Sequence, residues 1–415
     1  MQRHLRSNLS VLYSSTRFTT GGRFCSPPSR HRIDVMTTGI YLHIPFCKSR
    51  CSYCDFATDV YKNNEVVEQY VDALCLEIAA FECRSPHVSK GVTLNANTIY
   101  FGGGTPSLLT PTQLERILKA VQDKFAVSTD AEITMEMNPA TVTPDTLRDY
   151  RSLGINRASF GVQTFDDYAL KLLARGHDAN DARQTFTMLR DARFDNISFD
   201  LIAGLPGQTL DDWKSNLDEA IKLSPEHISL YLLEIHEGTP LAEQIRRGRQ
   251  PLPDEELAAE MYEMMLDKLA AASYEQYEIS NFSRPGFESR HNSKYWLLEP
   301  VFGFGVSAHS FDGRQRYANE RDTAKYVGLI ENSGAAEATR EDIDLASEFA
   351  FLGLRLEHGI DLTEYKQRFN INLTEKFNAE LTDLAHAGLI ETIDGRLKLM
   401  RMGKLFSNEV FAVFV

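Results

Sequence analysis

The stretch Tyr41-Leu-His-Ile-Pro-Phe-Cys47-Lys-Ser-Arg-Cys51-Ser-Tyr-Cys54-Asp-Phe56 is the most informative part of this 415-residue chain. It places three of the chain's six Cys on one short loop with C-x3-C-x2-C spacing. A closed structural zinc site takes four protein ligands, and a C-x2-C redox pair leaves Cys47 without a role. Three thiolates suit an iron–sulfur cubane, whose Cys ligands bind separate irons. The spacing therefore predicts Cys47, Cys51 and Cys54 as metal ligands, with one iron open to a further ligand.

Short β-rich runs alternate with helical patterns on both sides of this loop. Predicted strands cover residues 39–45, 98–101, 133–137, 155–161, 197–202 and 228–232, with amphipathic helices between them. Repeated strand–helix units imply a parallel sheet with right-handed crossovers. Because the polar motifs follow strand ends, the pattern favours a closed or partly closed barrel with its chemistry at the carboxyl ends of the strands.

The chain divides into four predicted segments. Residues 1–36 form a leader, 37–240 the barrel core, 241–339 a connecting segment and 340–415 a separate small domain. Helical patterns at 343–354, 362–369 and 373–386 precede two short strands within 390–399. The predicted fold class is therefore α/β: a partial (β/α)6 TIM-like barrel with a small C-terminal α+β, winged-helix-like domain.

Charge is distributed unevenly along the chain. The formal net charge is −14, but residues 1–33 contain six Arg and no acid, so the remainder carries −20. An acidic body argues against nucleic acid as a partner. The Arg- and Ser-rich leader is typical of an organellar transit peptide, while Met36 is an alternative start of translation. The expected location is the cytoplasm for a start at Met36 and the mitochondrion for a transit peptide.

The Cys47–Cys54 stretch and the motifs after it resemble the radical S-adenosylmethionine (SAM) superfamily. The branch it resembles contains oxygen-independent coproporphyrinogen III oxidases and heme chaperones, and the likeness runs from about residue 39 to the C-terminus. It implies a radical-SAM-type barrel and a [4Fe–4S] cluster, whose open iron binds the amino and carboxylate groups of SAM. In that family, one electron from the cluster cleaves SAM to a 5′-deoxyadenosyl radical.

The same resemblance implies a set of SAM contacts. They are Tyr41, Tyr53, Gly103, Gly104, Thr105, Glu136, Gln163, Arg175 and Asp200. Glu136, Gln163 and Asp200 lie at or near predicted strand ends, where polar side chains gather around a site. Gly102–Gly104 lets backbone groups approach a ligand without a Cβ in the way. The alternatives are that Glu136 and Asp200 cap the turns that follow them, and that the Gly run is only a turn.

Two features distinguish the oxidases from the chaperones. The oxidases carry a further Cys two residues after the third cluster ligand, where this chain has Phe56, so that activity is in doubt. Residues 291–296, His-Asn-Ser-Lys-Tyr-Trp, match a motif of the heme chaperones. His291 is therefore a candidate heme ligand, since imidazole ligates heme iron. The alternative is a structural His in a turn under Trp296.

The resemblance thus implies a heme chaperone that binds heme, a [4Fe–4S] cluster and SAM. Its partners would be heme-accepting proteins, among them membrane-associated respiratory enzymes, and an electron donor such as flavodoxin or ferredoxin. The alternative function is oxygen-independent coproporphyrinogen III oxidase, which decarboxylates propionates in porphyrin biosynthesis. No catalytic residue is assigned, and enzymatic activity stays open.

Overall fold

The computed structural model describes residues 37–83 and 93–415, so the predicted leader lies outside the described residues. The strands are β1 (Thr37–Ile44), β2 (Phe46–Cys47), β3 (Asp59–Val60), β4 (Asn95–Gly103), β5 (Ala126–Met137), β6 (Arg157–Gln163), β7 (Ile197–Ala203), β8 (His227–Leu232), β9 (Glu275–Glu278), β10 (Asn281–Ser283), β11 (Val301–Phe304), β12 (His309–Phe311), β13 (Gln315–Asn319), β14 (Glu337–Asp342), β15 (Ile360–Asp361), β16 (Ile390–Ile393) and β17 (Arg396–Leu399).

The helices are α1 (Asn64–Ala80), α2 (Pro111–Lys124), α3 (Pro144–Ser152), α4 (Asp167–Leu172), α5 (Ala179–Asp191), α6 (Leu210–Leu223), α7 (Pro240–Arg246), α8 (Glu255–Ala271), α9 (Arg290–Trp296), α10 (Thr323–Ser333), α11 (Leu345–Gly353), α12 (Leu362–Phe369), α13 (Leu373–Lys376), α14 (Asn378–His386), α15 (Arg401–Leu405) and α16 (Ser407–Phe411).

Six consecutive parallel strands form the centre of the molecule. They lie side by side in the order β1-β4-β5-β6-β7-β8, and helices connect them along the chain as the sequence predicts. The crossover helices begin at well-defined caps: the Thr110 side chain and Gln113 make a capping box at the start of α2, with Pro111 in the first turn. The predicted α/β barrel core is confirmed.

The two faces of the barrel strands differ in chemistry because side chains alternate along a strand. On β6, which is buried throughout, Ala158, Phe160 and Val162 belong to the apolar core under the helices. Arg157 and Ser159 alternate with them, are also buried, and face the opposite side of the sheet. The barrel interior is therefore polar, and the helices cover an apolar outer layer.

The segment after the barrel core extends the same sheet at both edges. β11 pairs in parallel with β1, and β12, β13 and β14 follow it, while β10 and β9 continue from β8. The result is one twelve-stranded sheet that ends in β14 and β9, so the barrel is partial rather than closed.

Helix α9 lies against the amino-terminal half of the barrel strands. The Glu132 carboxylate accepts the backbone N–H groups of Arg290 and His291, each at 3.0 Å. A carboxylate on these orphan amides stabilises the start of a helix. The alternative prediction of a turn at residues 291–296 is therefore wrong, because this segment is helical.

The C-terminal domain has its own apolar cluster and a three-stranded sheet in the order β15-β17-β16. Its order of helix α11, strand β15, helices α12 to α14 and the β16–β17 hairpin confirms the predicted winged-helix-like fold. Arg355 joins it to the barrel, with a buried ion pair to Glu278 at 3.1 Å and its guanidinium 4.3 Å from the centre of the Trp296 ring. In the described part of the chain, no helix combines the length and apolarity that crossing a membrane requires.

Candidate functional site

The loop that carries the three Cys is fixed on the carboxyl ends of the barrel strands. β2 and β3 pair in parallel, which places Val60 beside Cys47. Ser52, in the middle of the loop, donates its N–H to Leu173 O at 2.9 Å and its hydroxyl to Leu172 O at 3.0 Å. Its carbonyl accepts the N–H of Leu241 at 2.8 Å. Contacts from three separate segments thus hold the loop in one conformation.

The thiols of Cys47, Cys51 and Cys54 are partly exposed and lie close enough to influence one another electrostatically. Burial raises the pKa of the Cys47 and Cys54 thiols. Within residues 37–83 and 93–415, no three His, Cys, Asp or Glu side chains converge on a single ion. Three Cys thiols on one short loop suit a cubane, where each thiolate takes its own iron.

Two polar side chains donate hydrogen bonds to the sulfurs. The Thr105 hydroxyl lies 3.6 Å from Cys47 Sγ, and Arg175 Nη1 lies 3.4 Å from Cys51 Sγ. Donors to sulfur stabilise thiolate charge and tune an iron–sulfur centre. The donor set therefore fits the cluster that the sequence predicts.

Asn138 connects these two donors and was missed by the sequence analysis. Its Oδ1 accepts from Arg175 Nη2 at 2.6 Å, and its Nδ2 donates to Thr105 Oγ1 at 2.7 Å. Arg175 Nη2 also donates to Gly161 O at 2.8 Å, while its buried Nε has no hydrogen-bond partner among the described groups. A continuous hydrogen-bonded path thus runs from one cluster sulfur to another. The one sequence signal that could have identified Asn138 is its position two residues after Glu136.

Glu136 lies next to the end of β5 and faces the barrel interior. Its carboxylate accepts the Tyr100 hydroxyl at 2.8 Å and the Gly103 N–H at 3.1 Å, so both bonds go to the neighbouring strand β4. Burial raises its pKa to about 7. The alternative that Glu136 caps the turn after it is not what the structure contains.

Asp200 faces the same interior from β7, three residues before that strand ends. Its backbone is in register with Gly161 and Ser229, and it accepts a hydrogen bond from the Ser229 side chain. Burial raises its pKa, and the charges of Arg157 and Arg175 oppose that shift. Like Glu136, Asp200 interacts across the sheet and does not cap a turn.

The first two barrel strands bring aromatic rings to the glycine run. The Tyr41 hydroxyl is 3.2 Å from His43 Nδ1, and the Tyr41 ring stacks with Tyr100 at 6.1 Å between centroids. A Cβ on Gly102 would lie 2.9 Å from the Tyr41 ring, and one on Gly103, whose φ is +110°, 2.7 Å from the His43 ring. Gly102 and Gly103 are thus required because a larger side chain would collide with the adjacent rings. Sequence reasoning did not find this reason.

The remaining predicted SAM contacts lie around the same end of the barrel. Tyr53 packs with a small apolar cluster that includes Leu173 and Leu205, and its hydroxyl interacts with the Arg175 guanidinium. Gln163 ends β6 with a left-handed φ of 65°. Gly104 donates its N–H to Ile44 O at 2.8 Å, which joins the glycine run to β1.

His291 is a residue of α9, and its ring faces the polar barrel interior, with its centroid 5.0 Å from that of the Tyr100 ring and 6.4 Å from that of the Tyr41 ring. Its Nδ1 is 2.9 Å from Thr98 Oγ1, its Nε2 is 3.1 Å from the Tyr295 hydroxyl, and its side chain is fully buried. Burial lowers its pKa to about 3, so it is neutral. Thr98 precedes Gly103 by five residues on β4, about 17 Å along a strand. The structure does not bring His291 to the cluster loop, and its role as a heme ligand stays a prediction.

Comparison with known proteins agrees with this architecture. The Radical SAM superfamily model matches residues 41–220, and the HemN C-terminal domain model matches residues 341–406. A protein named heme chaperone HemW from Bacillus subtilis is 37% identical over 381 residues, which are 90% of this chain and 98% of that protein. This chain belongs to the HemW family of radical SAM proteins. The HemW of Escherichia coli is 31% identical over 384 residues, 91% of this chain and 97% of that protein.

Two proteins with other names are also similar to this chain. A Bos taurus protein named radical S-adenosyl methionine domain-containing protein 1, mitochondrial, is 34% identical and covers 89% of this chain and 84% of its own length. The solved structure of coproporphyrinogen III oxidase (HemN) from Escherichia coli superposes with a TM-score of 0.79 at 25% identity, over 92% of this chain and 91% of that one. Membership of the radical SAM superfamily implies a [4Fe–4S] cluster and SAM, as the sequence analysis predicts.

Proposed function

We propose that this chain is a heme chaperone, which binds heme and delivers it to heme-accepting proteins. The observation that carries the proposal is the likeness to proteins named heme chaperone HemW over nearly their whole length, 98% for the Bacillus subtilis protein. Phe56 supports it independently, because the oxidases that the sequence resembles have a Cys at that position.

Cys47, Cys51 and Cys54 are the residues that would hold the cluster. When bound, the cluster supplies an electron and an open iron for SAM. Thr105 and Arg175 donate to the sulfurs at 3.6 and 3.4 Å and thereby keep the thiolates charged and oriented.

Glu136 and Asp200 would bind the cofactor rather than the cluster. Both carboxylates face the polar barrel interior and accept hydrogen bonds there from groups on neighbouring strands. An ionised carboxylate accepts from hydroxyl and ammonium groups, and SAM carries both. Tyr41, Tyr53, Gly103, Gly104 and Gln163 surround the same strand ends and complete the proposed cofactor site.

The proposed partners follow from the function and the charge. Heme acceptors of the respiratory chain would receive the heme, and a donor of the flavodoxin or ferredoxin class would reduce the cluster. A net charge of −14 makes nucleic acid an unsuitable partner.

The alternative function is coproporphyrinogen III oxidase, favoured by the likeness to the HemN structure with a TM-score of 0.79. One pair of anaerobic assays separates the two. The reconstituted protein is titrated with heme, and separately supplied with SAM, a reductant and coproporphyrinogen III. The proposal expects heme binding without conversion of the porphyrinogen. Steady formation of protoporphyrinogen would refute it.

A further inference from the structure

We propose that heme docks on the exposed surface formed by Phe56, Val60 and Tyr61, directly beside the cluster loop. This inference rests on the proposed function and names the place where its ligand binds. We call these three side chains the Phe56 patch. The heme propionates point toward the cations at its rim, Arg50, Lys62 and Arg321.

The apolar side chains of the Phe56 patch are unusually exposed for their size. Phe56 exposes 64% of its surface, Val60 51% and Tyr61 38%. A single exposed apolar residue on a protein surface is ordinary, whereas this short segment exposes three within six positions. Clustered apolar exposure of this kind is a feature of binding surfaces.

The backbone under the Phe56 patch is held firmly against the cluster loop. Asp59 N–H donates to Pro45 O at 2.8 Å, and Tyr61 N–H donates to Cys47 O at 2.7 Å. Val60 lies in register with Cys47. The patch is therefore an ordered platform that adjoins a predicted cluster ligand.

Cations surround the Phe56 patch in a chain that is otherwise acidic. Arg321 Nη2 donates to Asp55 O at 2.8 Å, and Arg50 Nη2 donates to Cys54 O at 3.2 Å, so both guanidiniums are anchored next to Phe56. Lys62 follows Tyr61 in the chain and is exposed. The acids of this region are Asp55, whose Oδ1 lies 3.6 Å from Arg321 Nη2, the exposed Asp59, and Glu320 and Asp322 on either side of Arg321, of which Glu320 is paired with Lys325.

Heme matches this combination of groups. Its ring is a flat apolar surface, and its two propionates are carboxylates, which guanidinium and ammonium groups bind with charge-assisted hydrogen bonds. An acidic electron-transfer protein would also be attracted by the cations. However, even a transient redox interface buries up to about 600 Å² on each partner, more than three side chains offer. The small apolar centre therefore favours a ring over a protein.

The test uses the full chain, reconstituted anaerobically with iron and sulfide, and titrates hemin by its Soret band. Phe56→Ser and Val60→Ser remove apolar contact, and we expect each to weaken hemin binding about tenfold. Tyr168→Ser is the matched control, because Tyr168 is an aromatic residue on α4 with 74% exposure. It should change hemin affinity by less than about twofold.

A second arm tests the charges. Arg321→Gln should weaken the binding of hemin several-fold but leave the binding of hemin dimethyl ester unchanged, since the ester has no carboxylates. Arg247→Gln, which removes a cation of 54% side-chain exposure on the turn after α7, is the control. Iron content and circular dichroism verify that each variant is folded and loaded.

Hemin affinities in Phe56→Ser and Val60→Ser equal to those of Tyr168→Ser would overturn the docking site while leaving the proposed function intact. Variants that bind hemin normally but accept electrons more slowly from an acidic flavodoxin would also overturn it, and would reassign the surface to the electron donor. A parent chain that binds no hemin would refute the proposed function, and the docking site with it.

Discussion

Glu136 offers the sharpest test of how the barrel interior binds SAM. Its carboxylate has a pKa raised to about 7 by burial, from an ordinary value near 4.5. At 1.36 kcal/mol per pH unit, a pKa raised from 4.5 to about 7 means that folding disfavours the ionised carboxylate by about 3 kcal/mol relative to the protonated one. The folded protein binds this proton more tightly than the unfolded chain does. Between about pH 4.5 and pH 7, Glu136 therefore makes the free energy of unfolding fall as pH rises, and it has no further effect above pH 7.

The ionised form is the one that accepts hydrogen bonds from SAM, so binding should strengthen as pH rises through 7. Glu136→Gln loses the negative charge, and its amide cannot accept from both Tyr100 and Gly103 as well as from SAM. A hydrogen bond to a charged group contributes about 1.5–3 kcal/mol, so SAM should bind roughly 10- to 100-fold more weakly. The affinity of the Glu136→Gln variant for SAM should also no longer depend on pH near 7.

The assay is anaerobic calorimetric titration of the reconstituted protein with SAM between pH 6 and pH 8.5. Glu77→Gln is the matched control, because burial also raises the pKa of Glu77 to about 7. Glu77 accepts hydrogen bonds from Tyr326 at 2.6 Å and Gly305 at 2.8 Å, away from the proposed cofactor site. Its variant should alter the pH dependence of stability and leave SAM binding unchanged. Equal SAM affinities and pH profiles in parent and Glu136→Gln would refute the reasoning.

Three further predictions concern the cluster and the barrel. Replacing Cys47, Cys51 or Cys54 by Ala should abolish the binding of about four irons, while Cys75→Ala on α1 should retain it; equal loss in Cys75→Ala would contradict the ligand assignment. Asn138→Ala breaks the path between Thr105 and Arg175, so the reduction potential of the cluster should shift, and an unchanged potential in protein film voltammetry would exclude that role. His291→Ala should lower the unfolding free energy by about 2–4 kcal/mol, because it removes a buried hydrogen-bonded ring; a Soret band that moves without loss of stability would identify His291 as a heme ligand instead.

The barrel could be predicted from sequence because its signals are local. The alternation on β5 extends over the six residues 132–137 and the capped amphipathic pattern of α2 over fourteen, and a sheet of parallel strands follows from the repetition of such patterns. The Cys spacing is equally local, since one loop carries all three predicted ligands. The predicted barrel strands differ from the observed ones in their bounds: the third, predicted at 133–137, is β5 and begins at Ala126, and the fourth, predicted at 155–161, is β6 and runs from Arg157 to Gln163.

The features that sequence reasoning missed depend on contacts between distant residues. Helix α9 has little apolar periodicity. Its N-cap is the adjacent Ser289, but its first two backbone N–H groups are accepted by Glu132, which precedes Arg290 by 158 residues. The parallel pairing of β11 with β1 joins residues more than 250 positions apart. Asn138 has no distinctive motif of its own, and its importance appears only when Arg175 and Thr105 are both in reach. Pattern and propensity carry no information about such pairings.

Heme transfer is the measurement that tests the central claim most directly. The reconstituted protein, loaded with one equivalent of heme, is mixed anaerobically with an apo form of a heme-accepting respiratory protein, and the two are separated and their absorption spectra recorded. A heme chaperone should lose its Soret band as the acceptor gains one, faster than the acceptor takes up heme from serum albumin carrying the same amount. Heme that stays on this chain, or that reaches the acceptor no faster than from albumin, would contradict the account.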